Sequence, residues 1–388
     1  MKRRKKIVFI GHEASLSGAP VLLLNLLLLL KKEGNVNVIL VIKRYGPFLK
    51  NYENEFPVIV LKGANYGKEN NLLKRIYNII RNRIQLFRLF LITASADVVF
   101  SNTVTNGRIL KILFPFRKKI VTYVHELEKV IEWYMPSGDS SYSLQYSQRF
   151  AYPSLKVSEI LQKNYRIDAS KLYRLSYYFP VDLKIIDDDV AKNNFAKVFR
   201  EKYDLSGAFV VGNAGVLCDR KGTDLFIEVC CKVVSRNRDI KFCWIGQFED
   251  RETKEKLTKL IKEKNIEKNI VLTGPLPHHY YNFNSFDLLF LSSREDPYPL
   301  VVIEAAFMKI PSICFKDSGG ITDFINDDAG WAVGNFSVDE VAQRIIDLFN
   351  AHREQLSIKG KAAFKKALEL HSDKAVILSQ FNELISGF

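Results

Sequence analysis

The sequence predicts two doubly wound α/β domains in tandem, and three observations carry that prediction. Its 388 residues are too many for one ordinary core and about right for two. Short apolar runs alternate with helical stretches from one end to the other, the pattern of parallel sheets covered by helices. A tract from Tyr178 to about Arg200, with Pro180, the acidic run Asp187–Asp189 and no clear strand, separates two such series. Tandem domains of this kind predict a cleft between them, with strand ends facing it.

In the first series Ile7–Ile10 is a buried strand, followed by the loop Gly11–Ala19 and a helix opening at Pro20, a favoured first helical position. Gly34 closes that helix, and Val36–Ile42 and Val58–Leu61 are further strands. Val98–Phe100 and Ile120–Val124 follow, each ending in polar residues, Ser101-Asn102 and His125-Glu126. Segment 133–148, rich in Ser, Tyr and Gly without periodicity, is expected to be a mobile loop. Ser158 is placed to N-cap a helix through Asn164. The second series runs strand Phe209–Gly212, helix from Asp224, strand Lys241–Ile245, helix 251–264 and strand Ile270–Leu272. Strand Asp287–Leu291, a helix from Leu300, strand Ser312–Phe315 and helical segments over roughly 338–386 complete it.

Composition, 47% hydrophobic and 26% charged, excludes a disordered or fibrous chain. The 57 Lys+Arg against 43 Asp+Glu leave a net charge of +14, and it is unevenly placed. Residues 1–180 hold 29 basic and 12 acidic side chains, +17, so residues 181–388 hold 28 and 31, or −3. Segment 71–92 lines Lys74, Asn78, Arg81, Gln85 and Arg88 along one helical stripe, with Arg83 opposite. Most of its apolar face is expected to pack on a sheet, with its rim open to an anionic membrane surface. Arg117-Lys118-Lys119 and Lys2–Lys6 extend that basic surface. Cys218, Cys230, Cys231, Cys243 and Cys314 form no metal-binding spacing and suit buried thiols in a reducing compartment. The start MKRRKKIVFIG mimics a signal peptide, but its apolar stretch ends after Ile10, and the run Val21–Leu30 is half a membrane span. The expectation is a cytoplasmic protein without transmembrane helices.

Two segments carry chemistry. In the run Ser292–Ala306 a loop at the carboxyl end of a buried strand leads into a helix, with Asp296 in the loop and Glu304 eight residues later. Carboxylates so placed can accept hydrogen bonds from sugar hydroxyls at two points of an extended ligand. Pattern alone leaves equally open an acidic residue that complements the helix dipole and a surface glutamate. In Gly212–Leu225 a strand runs into a small-residue turn, then Arg220, Lys221 and Gly222 before a helix. Small residues let the backbone approach a diphosphate and the two cations neutralise it, although exposed basic turns are common. It is neither a Walker loop nor G-x-G-x-x-G. His125 at a strand end is, on pattern alone, more often a structural hydrogen-bonder than a catalytic group. Asp187–Asp189 and Asp327-Asp328 suggest D-x-D metal sites only superficially; no ligand-bearing strand precedes either, and solvated acids are the better reading.

Together these segments resemble retaining glycosyltransferases of the GT-B fold, family 4. Arg294–Ala306 is similar to that family's E-x7-E motif, with Asp296 and Glu304 in the acidic positions. Arg220-Lys221-Gly222 resembles its phosphate-binding segment, Ser17-Gly18-Ala19-Pro20 its first glycine-containing loop, and His125-Glu126 its strand-end histidine. Gly274, Gly319-Gly320 and the closing helices also fall where the pattern puts them; the likeness covers nearly the whole chain and is strongest over 208–335. It implies two Rossmann-like doubly wound domains facing a central cleft. Residues 1–180 would bind acceptor, 181–200 would join, 201–370 would bind the donor, and 371–388 would form a closing helix packing back toward the first domain.

The resemblance also implies roles. Glu304 would hold the ribose hydroxyls of a nucleotide-sugar donor, Asp296 would face the transferred sugar, and Arg220 and Lys221 would bind the diphosphate. Catalysis would involve Asp296 and His125, the latter meeting the donor sugar. Gly18 would let its loop approach the phosphates, and Gly319 and Gly320 would give a close backbone contact. The first acidic position is Asp rather than the longer Glu, the Arg that family members often carry six residues before the Lys is here Gly215, and Pro297 and Pro299 remove two loop donors. That leaves Tyr298, Leu300 and Val301 to contact sugar or phosphate. No metal or other cofactor is expected. The implied function is transfer of a sugar to a glycan or lipid-linked acceptor in bacterial cell-surface polysaccharide assembly (capsule, O-antigen or exopolysaccharide); the basic first half adds the expectation of a cytoplasmic protein able to associate peripherally with the inner face of the cell membrane. A non-catalytic GT-B-like scaffold or a nucleic-acid binder is the alternative. No zinc module, RNP-type strand or basic recognition helix supports nucleic acid as a partner. A scaffold would be expected to lose the donor constellation, yet Lys221, Asp296 and Glu304 are all present.

Overall fold

Ile7, Val8, Phe9 and Ile10 are wholly buried at the centre of β1 (Lys5–Glu13), as a strand covered on both faces requires. The computed structural model describes residues 4–34, 36–61, 84, 87, 89–114, 119–182, 186–276 and 282–388. Two units divide the chain: Met1–Pro180 with Asp373–Phe388, and Val181–Ser372.

The first unit contains β1, β2 (Val36–Arg44), β3 (Val58–Val60), β4 (Val98–Ser101), β5 (Lys119–Tyr123), β6 (Arg149–Tyr152) and β7 (Leu172–Arg174). They pair in the order β3-β2-β1-β4-β5-β6-β7, all parallel. The order reverses between β1 and β4, so the loops after β1, β4 and β5 gather at one carboxyl edge, where open α/β sheets bind ligands. The closing helix Lys374–Ile385 belongs to this unit, its Phe381 ring 6.3 Å from Phe9 and 6.1 Å from Phe100.

The second unit contains β8 (Phe209–Ala214), β9 (Ile240–Ile245), β10 (Ile270–Gly274), β11 (Leu288–Leu291), β12 (Ser312–Phe315) and β13 (Gly330–Val333). Their order is β10-β9-β8-β11-β12-β13, again parallel, reversing between β8 and β11. Phe226 anchors its core, edge-on to Phe242 and Trp244 and stacked on Phe290, all fully buried. Four of the cysteines are buried, Cys231 partly so, and all five are free thiols. The two Rossmann-like parallel layers are those the alternating pattern predicted.

Several local expectations are corrected. The first helix is Gly18–Glu33, opened by Ser17 rather than at Pro20; proline is tolerated in the first turn because N–H groups there lack intrahelical acceptors. Gly34 closes it as expected, at φ 68° with its N–H on Leu30 and Lys31 carbonyls. Ser154, not Ser158, stands before helix Leu155–Lys163. Within segment 133–148, Asp139–Tyr146 is a helix. Two of its three serines point inward, Ser140 Oγ donating to the Ile131 carbonyl (2.6 Å) and Ser143 Oγ to that of Val104 (2.7 Å), so polarity there satisfies buried backbone. Gly107 permits the close approach: a Cβ would lie 1.8 Å from the Asp139 carbonyl oxygen. Within the tract 178–200, Asp188 caps a helix, Asp189–Lys202, by accepting from the Ala191 N–H. Short strands β6, β7 and β13 carry too few alternating residues to be read from sequence.

Lys2, Lys74, Asn78, Arg81, Arg83, Gln85, Arg88, Arg117 and Lys118 lie outside the described residues. Nearby, Leu89 is fully buried while Ile84, Phe87 and Leu91 are exposed. Among the described residues no helix is long and apolar enough to cross a membrane.

Candidate functional site

In the second unit the loops after β8, β11 and β12 are stitched together beyond the strand ends. The turn after β8 closes with the Gly222 N–H on the Asp219 carbonyl (2.9 Å). Gly222 has φ 62°, and a Cβ there would stand 2.0 Å from the Ser292 carbonyl oxygen, so only glycine lets the two loops touch. Ser292 Oγ donates to the Lys221 carbonyl (2.9 Å), the Arg294 N–H to the Arg220 carbonyl (2.9 Å), and Arg220 Nη1 to the Glu295 carbonyl (2.9 Å). At Gly215 a Cβ would meet only the Lys221 Cε, at 3.7 Å.

This stitching brings the two predicted motifs to one point. Asp296, 6% exposed, takes a hydrogen bond from Lys221 Nζ on Oδ2, and Arg220 Nη1 stands 4.0 Å from the same oxygen. Its backbone pairs with the third loop: the Asp296 N–H donates to the Ser318 carbonyl (2.7 Å), and the Gly320 N–H reaches the Pro297 carbonyl (3.2 Å). Gly319 has φ 143°, and a Cβ there would lie 1.8 Å from the Asp296 carbonyl oxygen, so both the backbone angle and the close approach call for glycine. The two glycines thus support the acidic loop directly.

Pro299 precedes helix Leu300–Phe307, whose first turn carries no acidic side chain. The N–H groups of Leu300 and Val301 therefore sit at a positive helix end with no acid of its own. Glu304 lies one turn further along the same helix, half-buried. Tyr298 is turned inward, its hydroxyl 3.0 Å from Nε2 of the buried His371. His371 was not legible as a site residue, since 73 residues separate the two.

Arg294 and Asp224 were also missed. The guanidinium makes a two-pronged bond to the carboxylate (2.7 and 2.6 Å) and a third to the Asp219 carbonyl (2.8 Å). Burial pushes the Asp224 carboxyl up, but the hydrogen bonds and charge of Arg294 outweigh it and hold it below its ordinary range.

In the first unit His125 stands just past β5. Its Nε2 faces Asn102 Oδ1 (3.2 Å) and its Nδ1 the Tyr177 hydroxyl (3.1 Å). An amide oxygen only accepts, so Nε2 carries the proton and Nδ1 accepts from tyrosine. Asn102 is oriented in turn by its Nδ2 donating to the Ala19 carbonyl (3.0 Å), which ties His125 to the first turn of the helix that opens at Gly18, a residue the sequence placed in a loop. Burial, with a lesser contribution from His12, pushes the imidazole down to about 3, so it is neutral at physiological pH. The neighbouring Glu126 bonds to Thr103 Oγ1 and accepts from the His125 N–H (2.8 Å); burial nevertheless raises its carboxyl to about 7. Of the acids weighed as metal ligands, Asp188 caps a helix and Asp189 pairs with Lys192 (2.6 Å). Among the described residues no group of three or more metal-ligating side chains comes together.

Comparison with known proteins identifies the family. Residues 196–365 match the model of glycosyl transferases group 1, and residues 3–159 that of glycosyl-transferase family 4. A poly(ribitol-phosphate) alpha-N-acetylglucosaminyltransferase of Staphylococcus aureus (strain COL) is 28% identical over 192 residues, 49% of this chain and 38% of that protein. The capsular polysaccharide biosynthesis glycosyltransferase CapM of Staphylococcus aureus is 23% identical over 192 residues, 48% and 49% of the two chains. The matches thus span less than half the length of these curated relatives. Among solved structures, Anabaena Alr3699/HepE in complex with UDP and glucose shares the fold, with a TM-score of 0.80 at 16% identity, covering 99% of this chain and 100% of that one. With both units matched by glycosyltransferase family models and the fold shared end to end, the chain is a GT-B protein and belongs to glycosyltransferase family 4.

Proposed function

We propose that the chain is a retaining glycosyltransferase that moves a sugar from a nucleotide-sugar donor to a glycan or lipid-linked acceptor in bacterial cell-surface polysaccharide assembly. The observation that carries this reading is the convergence of Lys221, Arg220, Asp296 and the Gly319-Gly320 loop at the start of the helix bearing Glu304. Family membership and the names of the two Staphylococcus aureus relatives support it.

In this reading Glu304 holds the ribose hydroxyls and Asp296 a hydroxyl of the transferred sugar. Lys221 and Arg220, with the N–H groups at Leu300 and Val301, stabilise the charge that grows on the leaving diphosphate. The bond from the anomeric carbon to the phosphate oxygen breaks as the acceptor hydroxyl bonds to that carbon from the same face. The hydroxyl's proton passes to the departing phosphate oxygen, so configuration is retained without an enzyme nucleophile. His125, a neutral imidazole, meets the sugar as a hydrogen-bond donor rather than as an acid, its Nε2–H exchanging Asn102 Oδ1 for a sugar oxygen when the donor binds, and Gly18, in the first turn of its helix, leaves room for the phosphates. Because two side-chain cations and a helix end supply the positive charge, the reaction proceeds without a metal ion.

The test is nucleotide release from a panel of UDP-, GDP- and dTDP-sugars, with and without EDTA. Lys221→Ala is expected to lower turnover about 100- to 1000-fold, the usual loss when one charge-stabilising group is removed, and Glu304→Ala to abolish transfer by losing the ribose contacts that hold the donor. Arg220 remains beside Asp296 in Lys221→Ala, so that variant should still fold. Near-normal turnover in either variant would overturn the donor site. Loss of turnover in EDTA would overturn metal independence.

A further inference from the structure

Arg294 grips both ends of the cationic turn. Its N–H holds the Arg220 carbonyl (2.9 Å), its Nη1 the Asp219 carbonyl (2.8 Å), and its guanidinium plane the Asp224 carboxylate (2.7 and 2.6 Å). Asp224 lies three residues after Lys221, in the first turn of helix Thr223–Val234, and Arg294 lies two residues before Asp296. A two-pronged guanidinium–carboxylate bond fixes angle as well as distance. The turn carrying Lys221 therefore cannot rotate away from the loop carrying Asp296 without breaking both prongs.

Both side chains are 30% exposed, and a pair that accessible contributes little to global stability. Its geometry acts instead on the register of the two loops. We propose that Arg294 and Asp224 are positioning residues, a clamp that holds Lys221 and Asp296 in the arrangement that binds the nucleoside diphosphate of the donor. This rests on the donor-site reading above and adds to it two residues that touch neither phosphate nor sugar.

The experiment is titration of UDP, GDP and dTDP, each by calorimetry, into wild type, Arg294→Ala, Arg294→Lys, Asp224→Asn and the Arg294→Ala/Asp224→Asn double variant. Thermal unfolding and the KM and kcat for donor are measured alongside. Whichever nucleotide wild type binds should bind Arg294→Ala and Asp224→Asn about 10- to 100-fold more weakly, the usual cost of misplacing contacts by about an ångström. Melting temperatures should stay within about 2–4 °C. The double variant should be no worse than the worse single one, and Arg294→Lys, which keeps the charge but not the fork, should recover part of the loss. Unchanged affinity in Arg294→Ala, additive losses, or full recovery by Lys overturns the clamp. Melting falls matched by unchanged binding in Arg294→Lys assign the pair to stability and overturn it equally. A wild type that binds none of the three nucleotides overturns the donor-site reading itself.

Discussion

Glu126 and His125 share one backbone link, yet their ionisation pulls stability in opposite directions. Burial raises the Glu126 carboxyl from 4.5 to about 7. Below about pH 4.5 it is protonated in both folded and unfolded chains; above that the unfolded chain releases a proton that the folded chain keeps. Stability therefore falls as pH rises through the window from about 4.5 to 7, by on the order of 3 kcal/mol in all. His125, pushed from 6.5 to about 3, does the reverse: its contribution is whole above 6.5 and is lost as pH falls toward 3. Glu126→Gln isolates the first effect. Glutamine can present its oxygen to the His125 N–H and its amide N–H to Thr103 Oγ1, which already bonds to Thr105 Oγ1 (3.2 Å). The variant should melt higher than wild type near pH 8 and close to it near pH 4.5. An offset equal at both pH values, followed by calorimetry, would show that the carboxyl keeps its ordinary affinity for the proton.

Among elements, the loop between Asp296 and the helix Leu300–Phe307 is anchored from far along the chain. Helix Arg353–Ala367 runs on into a wider π-helical turn, Leu368–Ser372, which carries His371 to the Tyr298 hydroxyl, its ring against those of Tyr298 and Phe324. Tyr298→Phe removes one buried hydrogen bond and should cost about 1 kcal/mol. His371→Ala also opens a cavity and should cost roughly 2–4 kcal/mol by denaturant unfolding. Both should weaken donor binding, because the loop carrying Asp296 loses its floor; unaltered binding in a destabilised His371→Ala would show the loop to be self-supporting. This anchor marks the limit of what the sequence discloses. Strands such as β11, four buried apolar residues in a row, are legible because burial on both faces demands an unbroken apolar run. Lys221, Asp296 and Glu304 are legible because motif spacing is local. His371, Asn102 and the Arg294–Asp224 clamp act through contacts 23 to 83 residues apart in sequence, and no local pattern announces them. Helix Asp139–Tyr146 stays hidden for the opposite reason: its serines look solvated until their buried acceptors are known.

At the scale of the molecule, the charge partition has a physical consequence. The excess of +17 over residues 1–180 lies in the half proposed to receive the acceptor, while residues 181–388, at −3, carry the local cations proposed to bind one diphosphate. Ile84, Phe87 and Leu91, spaced as neighbours on one helical face, leave apolar side chains exposed in that half, while Leu89 is buried beneath them. Exposed apolar side chains within a strongly basic half suit the interface of an anionic leaflet, where each nearby Lys or Arg contributes about 1 kcal/mol. The proposed occupant of this face is therefore an anionic lipid surface, which would bring the enzyme to a lipid-linked acceptor. Flotation with phosphatidylcholine vesicles, with and without phosphatidylglycerol, tests it. The chain should float only with the anionic lipid, less as salt rises and screens the attraction, and less again in Phe87→Ser/Leu91→Ser. Equal flotation on neutral vesicles would mean that charge does not direct the association. Flotation unchanged in the double variant would mean that the exposed apolar face takes no part in it.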